Sequence, residues 1–164
     1  MALPVPLLAV DIGNSRTKFG LFAGATSAGA TSAGAATEAL PAPLRMLELP
    51  SADWDPAALL QWLDGLPFAA PLTWVIASVN RASTARLLRW LNEVPRAGTL
   101  AAQPRLLTSA VLRLEISVEQ PELVGIDRLL GAVAANALRA PDAAAIVLAL
   151  GTALTVNFVS ATGA

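Results

Sequence analysis

Two stretches of the chain carry the same pattern, and together they constrain the fold more than any other feature. Leu7 to Val10 is a short apolar run, Asp11-Ile12-Gly13-Asn14-Ser15 reads as a turn, and Thr17 to Phe22 reads as a return strand. Near the other end, Ala144 to Leu150, Gly151 and Thr152 to Val159 read the same way. With Gly13 laid on Gly151, Thr17 falls on Thr155. Either the chain repeats a unit, or two apolar hairpins in an alanine-rich sequence resemble each other by chance. A lone hairpin is marginal in water, so each must be built into a larger sheet.

The residues between the hairpins alternate in character. Leu44 to Leu49 is a third strand. Asp55-Pro56 fits an N-cap followed by proline at the first helical position, with Leu59, Leu60, Leu63 and Leu66 as that helix's apolar stripe. Leu72 to Val79 is a near-continuous apolar run suited to a strand buried on both faces. Asn80 caps a second helix carrying Leu87, Leu88, Leu91 and Val94, and Pro95 ends it. Arg105 to Thr108 is a short strand. Leu112 to Val118 is a stronger strand candidate, because Leu112, Leu114, Ile116 and Val118 alternate with other residues. Glu122 to Arg139 is mostly helical. The low-complexity stretch from Gly24 to Thr37 repeats Ala-Thr-Ser-Ala-Gly and reads as a surface loop. Three strands followed by alternating helices and strands imply a mixed-sheet α/β domain. The organisation is one complete domain over 1–142 and the opening of a second, similar one over 143–164.

Composition narrows the chemistry. The sequence contains neither histidine nor cysteine nor tyrosine, which excludes Ser-His-Asp triads, thiolate nucleophiles, disulfides and His- or Cys-ligated zinc on this chain. Net charge is −1 over 164 residues, so there is no bulk electrostatic footprint for nucleic acid. The longest apolar stretch, Ala143 to Val156, falls short of the roughly 20 residues of a spanning helix. A cytoplasmic protein without membrane attachment is the expectation. Trp54, Trp62, Trp74 and Trp90 are scattered singly and read as core or partly exposed anchors.

Three sites remain for chemistry. Asp11 ends a buried strand before a glycine turn, where backbone N–H groups can approach phosphate oxygens. Asn14, Ser15 and Thr17 add side-chain donors, and Lys18, the sole lysine, can neutralise phosphate. Asp11 suits Mg²⁺, held directly or through water, because that ion takes one or two carboxylates together with waters and phosphates. The alternative is an ordinary hairpin. In Gly125-Ile126-Asp127-Arg128, Asp127 can accept a proton from a substrate hydroxyl and Arg128 can clamp an anion, or Asp127 caps the following helix and Arg128 lies on the surface. Gly151-Thr152 is either a second phosphate turn or a plain hairpin.

Taken together, Asp11 to Lys18, Glu122 to Arg128 and Gly151 to Thr155 resemble the type III pantothenate kinases of the acetate kinase, sugar kinase, heat-shock chaperone and actin superfamily. The resemblance runs from about Leu7 to Val159. It implies ribonuclease-H-like domains, a mixed sheet with flanking helices, and ATP-dependent phosphorylation of pantothenate on the way to coenzyme A. It implies that Asp11, Gly13, Asn14, Ser15, Thr17 and Lys18 form the first phosphate loop, and that Gly151 and Thr152 contact ATP. On the same basis Val118, Gly125, Ile126, Asp127 and Arg128 face pantothenate, with Asp127 the proton acceptor. It also implies a potassium or ammonium ion, and a homodimer.

The sequence departs from that family at ligand positions. The cation-binding aspartate two residues before the second glycine is Ala149, the substrate-side tyrosine is Val118, and the aspartate closing the second hairpin is Asn157. These changes keep a second reading open: a catalytically impaired relative that binds nucleotide or acts as a regulatory or accessory protein. A kinase for a different small alcohol is a third.

Overall fold

The computed structural model describes residues 6–23, 40–66, 72–94, 103–112 and 114–164. The Gly24 to Thr37 loop and Pro95 lie outside them. β1 (Leu7–Ile12) and β2 (Arg16–Phe22) form the expected antiparallel hairpin, and β3 (Arg45–Pro50) pairs antiparallel with β2. β4 (Thr73–Ser78) lies parallel to β1, and β5 (Arg105–Leu106) parallel to β4. The sheet order is β3-β2-β1-β4-β5. This is a mixed, ribonuclease-H-like sheet, as the resemblance implies.

One face of that sheet is the core. Leu8, Val10 and Ile12 of β1 stand opposite Leu21, Phe19 and Thr17 of β2, and Trp74 and Ile76 of β4 continue the layer. Leu8, Ile12, Leu21 and Ile76 are wholly excluded from solvent. Two helices complete the layer. α1 (Pro56–Asp64) starts where Asp55 accepts a hydrogen bond from the Ala57 N–H at 2.8 Å, with Pro56 opening the helix. α2 (Arg81–Glu93) starts where Asn80 accepts from the Ser83 N–H at 3.0 Å. Each cap satisfies an orphan N–H of the first turn. Leu59 and Trp62 of α1 and Leu87 and Leu91 of α2 join the strands in one apolar cluster. The tryptophans are less solitary than the sequence implied. Trp54 and Trp90 meet edge to face at 5.5 Å, and Trp74 meets Phe19 at 6.5 Å.

The chain divides into two compact units. The first takes in β1 to β5, α1 and α2. The second takes in Leu40, Pro41 and the described residues from Thr108 onward. In the second, α3 (Ile126–Leu138) packs on a two-stranded antiparallel sheet of β6 (Ala145–Leu150) and β7 (Leu154–Val159). Leu129 of α3 and Val159 of β7 are buried there.

Two expected elements differ. Leu112 to Val118 is not a strand over its described residues: a short 3₁₀ turn spans Ser109–Val111, and irregular backbone follows. Its alternating side chains Leu114, Ile116 and Val118 line a cavity instead. Glu115 and Ser117 between them line it too, so the alternation does not mark a ladder face here. The helix expected from Glu122 begins only at Ile126. Pro121–Leu123 is a separate 3₁₀ turn, and Val124 and Gly125 are extended before α3.

The two hairpins also differ in register. Thr17 stands opposite Ile12, whereas Thr155 stands opposite Ala149. The second turn is one residue tighter, so the two threonines do not occupy equivalent ladder positions.

Candidate functional site

The first unit presents the glycine hairpin. Strand alternation sends Ile12 and Thr17 into the core and leaves Asp11 and Lys18, which are directly opposite each other, on the exposed face. Gly13, Asn14 and Ser15 make the connection. The Gly13 N–H donates to the Arg16 carbonyl at 2.9 Å, and a Cβ on Gly13 would stand 3.1 Å from that oxygen. Glycine is therefore favoured by the close approach of backbone to backbone.

A serine that sequence reasoning passed over holds this hairpin. Ser51 is fully buried. Its N–H donates to the Ser15 carbonyl at 3.0 Å, its hydroxyl pairs with Thr17 Oγ1 at 2.9 Å, and its carbonyl accepts from Ser83 Oγ at 2.8 Å. One residue thus ties the loop, β2 and α2 together. Its only signal in the sequence is a small polar residue just after a strand, too common a feature to single out. Thr17 is 4 % exposed, and its hydroxyl bonds Ser51 on the core side of the sheet, opposite to Asp11 and Lys18. Arg16 meets Glu48 at 3.5 Å, an exposed pair worth little.

The second unit carries the other candidates. Gly125 is the N-cap residue of α3, and Asp127 lies in the first turn, exposed. Asp127 therefore does not cap the helix. Its carboxylate sits where the helix dipole favours negative charge. Ile126 is buried in the unit's core. Arg128 is half-buried, and its Nε donates to Asn157 Oδ1 at 2.6 Å. Gly151 and Thr152 form the exposed turn between β6 and β7, where the Gly151 N–H donates to the Ala153 carbonyl at 3.2 Å. Ala149 is exposed near the end of β6.

The second unit holds a cavity of about 600 Å³. Its walls include Leu114, Ile116, Val118, Leu129 and Val156, with Glu115, Ser117, Arg128, Asn157, Ser160 and Thr162 as the polar residues among those described. A mostly apolar cavity of this size suits a small organic molecule. Val118 and Arg128, paired only by resemblance in the sequence, share its wall.

Among the described residues no cluster of three or more acidic, histidine or cysteine side chains could enclose a metal, and no helix is long and apolar enough to cross a membrane. Asp11 is exposed at the end of β1, and a carboxylate is the kind of ligand Mg²⁺ takes together with waters and phosphates. Ala149 has no side-chain oxygen, so the position does not fit the monovalent cation.

The sheet order, with a glycine hairpin joining its first two strands, defines a protein of the actin-like, ribonuclease-H-like class. Comparison with known proteins narrows this. The family profile described as type III pantothenate kinase matches residues 7–164, and the chain belongs to that family. A type III pantothenate kinase of Thermus thermophilus is 31% identical over 155 residues, covering 94% of this chain and 55% of the relative. One from Alkalilimnicola ehrlichii is 32% identical over 166 residues, 95% of this chain and 54% of the relative. One from Rhodopirellula baltica is 46% identical over 88 residues, 54% of this chain and 30% of the relative. The chain spans about half the length of the curated relatives it matches over nearly all its residues.

Proposed function

We propose that the chain carries the nucleotide and acceptor elements of a cytoplasmic pantothenate kinase, which transfers the γ-phosphoryl group of ATP to the pantothenate hydroxyl on the route to coenzyme A. The observation that carries this reading is the family match across 7–164, within which the three chemistry-bearing motifs stand in order. In this reading Gly13, Asn14, Ser15 and Lys18 receive phosphate oxygens on the exposed side of the hairpin. Thr17 acts through Ser51 by holding the loop in place. Gly151 and Thr152 supply the second phosphate turn. Asp11 would hold Mg²⁺, directly or through water, and the ion would neutralise charge on the phosphates.

Asp127 takes the hydroxyl proton as the acceptor oxygen bonds to the γ-phosphorus and the bond to the bridging oxygen breaks, releasing ADP. Positioning and charge neutralisation carry most of such catalysis. The substrate side is assigned to Val118, Gly125, Ile126 and Arg128. Arg128 and Val118 meet pantothenate at the cavity wall, and Ile126 supports the start of α3 from the core. No step is assigned to a potassium or ammonium ion, because Ala149 cannot ligate one through its side chain. A homodimer is the proposed assembly.

Ala149 also favours a second reading, a relative that binds nucleotide with little or no turnover. Labelled phosphate transfer from MgATP to pantothenate separates the two. The kinase reading expects transfer that Asp127→Asn lowers at least about a hundredfold, the scale of general-base loss, while nucleotide binding persists. Nucleotide binding with no transfer by the unsubstituted chain would refute it and favour the second reading.

A further inference from the structure

Buried hydroxyls gather around one feature of the first unit. Among the described residues, the buried polar side chains are Thr17, Ser51, Thr73, Ser83 and Thr84. All but Thr73 belong to two chains of hydrogen bonds that run between the glycine turn of the β1–β2 hairpin and the first turn of α2. Ser83 and Thr84 are neighbours in that first turn of α2, and are 4 % and 8 % exposed. Apolar residues could be buried there with no polar group to satisfy, so the hydroxyls call for a reason.

Each secures one root of the glycine turn. Ser83 Oγ donates to the Ser51 carbonyl at 2.8 Å, and Ser51 donates its N–H to the Ser15 carbonyl and pairs with the Thr17 hydroxyl. That fixes the side where the chain leaves the turn. Thr84 Oγ1 donates to Ser78 Oγ at 2.6 Å, and Ser78 Oγ also accepts from the Asn80 N–H at 3.0 Å. This holds the connection from β4 to α2, whose Val79 N–H donates to the Ile12 carbonyl at 3.0 Å. That fixes the side where the chain enters. Gly13 to Ser15 therefore hang between two supports that start on adjacent residues of one helix. A satisfied buried network of this kind makes its surroundings rigid.

We propose that Ser83 and Thr84 are positioning residues for the glycine turn: from the first turn of α2 they hold its two roots, and so set where it meets the phosphates of a nucleotide. This rests on the nucleotide reading of the hairpin and deepens it. Both hydroxyls are buried and paired, so they act through the turn and not on the ligand. Placement matters there, because a binding constellation must be held to within about 0.5 Å.

The test is MgATP binding to the full chain by calorimetry, read beside the urea midpoint of each variant. Ser83→Ala is expected to weaken MgATP binding about threefold to tenfold, the worth of one hydrogen bond. Thr84→Val removes a hydroxyl at nearly constant volume and is expected to weaken it to a similar extent. Asp55→Ala is the control for stability alone. It removes the cap of α1, which lies on neither chain of hydrogen bonds, and is expected to lower the midpoint while leaving the affinity within about twofold. Unchanged affinity in a folded Ser83→Ala or Thr84→Val chain overturns the proposal and leaves the nucleotide reading intact, and so does an equal loss of affinity in Asp55→Ala. If one of the two hydroxyl variants does not fold, the other decides. Absence of MgATP binding to the unsubstituted chain overturns the proposal together with the reading beneath it.

Discussion

Thr17→Val is the sharpest probe of how the glycine hairpin is held. The two side chains are nearly isosteric, so the change removes one hydroxyl and little volume. Thr17 is 4 % exposed and Ser51 is fully buried, with their oxygens 2.9 Å apart. The substitution strands the Ser51 hydroxyl in the core. Leaving a buried polar group unsatisfied costs about 1–3 kcal/mol, and we take about 2 kcal/mol. Replacing both hydroxyls by apolar groups can be nearly neutral, so Thr17→Val/Ser51→Ala should cost less than the two single changes together, by about 1 kcal/mol. All four tryptophans lie in the first unit, so tryptophan fluorescence during urea unfolding follows that unit. With a urea slope of about 2 kcal/mol per M, the midpoint of Thr17→Val should fall by about 1 M with the slope unchanged. An unchanged midpoint, or single effects that simply add in the double variant, would refute the reasoning and sever the hairpin from its clamp.

Other outcomes follow from the same geometry. Asn80→Ala removes the acceptor for the Ser83 N–H and should cost about 1 kcal/mol, read as a lower urea midpoint in the same fluorescence assay. On β6 and β7, Ile146, Leu148, Leu150, Leu154, Val156 and Phe158 face one way in register and are 58–86 % exposed, a contiguous apolar face of the kind that drives association. Leu148→Lys with Val156→Lys should therefore shift sedimentation toward the monomer without lowering the unfolding midpoint; a monomeric unsubstituted chain at micromolar concentration would refute the proposed homodimer.

The sequence by itself determined the elements that local chemistry dictates. The caps at Asp55 and Asn80 were legible because a short polar side chain before an apolar helical stripe has few other uses. The β1–β2 hairpin and β4 were legible because their apolar runs and turns are contained within a few residues. The motifs at Asp11 to Lys18 and Gly125 to Arg128 stood out as candidates, since few other residue types on this chain can carry a reaction. Tertiary structure decided what depends on residues far apart in the chain. Leu112 to Val118 has a strand's alternation, yet Leu114 to Val118 line a cavity, because an apolar pattern does not say whether a distant strand is there to pair with it. Asp127 proved to be a first-turn residue, because the extended backbone at Val124 and Gly125 makes the glycine the cap. The contacts that Ser51 and Asn157 make carry no local signal. Ser51 joins the Ser15 carbonyl, the Thr17 hydroxyl and the Ser83 hydroxyl, and Asn157 meets an arginine 29 residues away. Hydrogen bonds between distant segments exist only once the chain has closed on itself, so no pattern in neighbouring residues announces them.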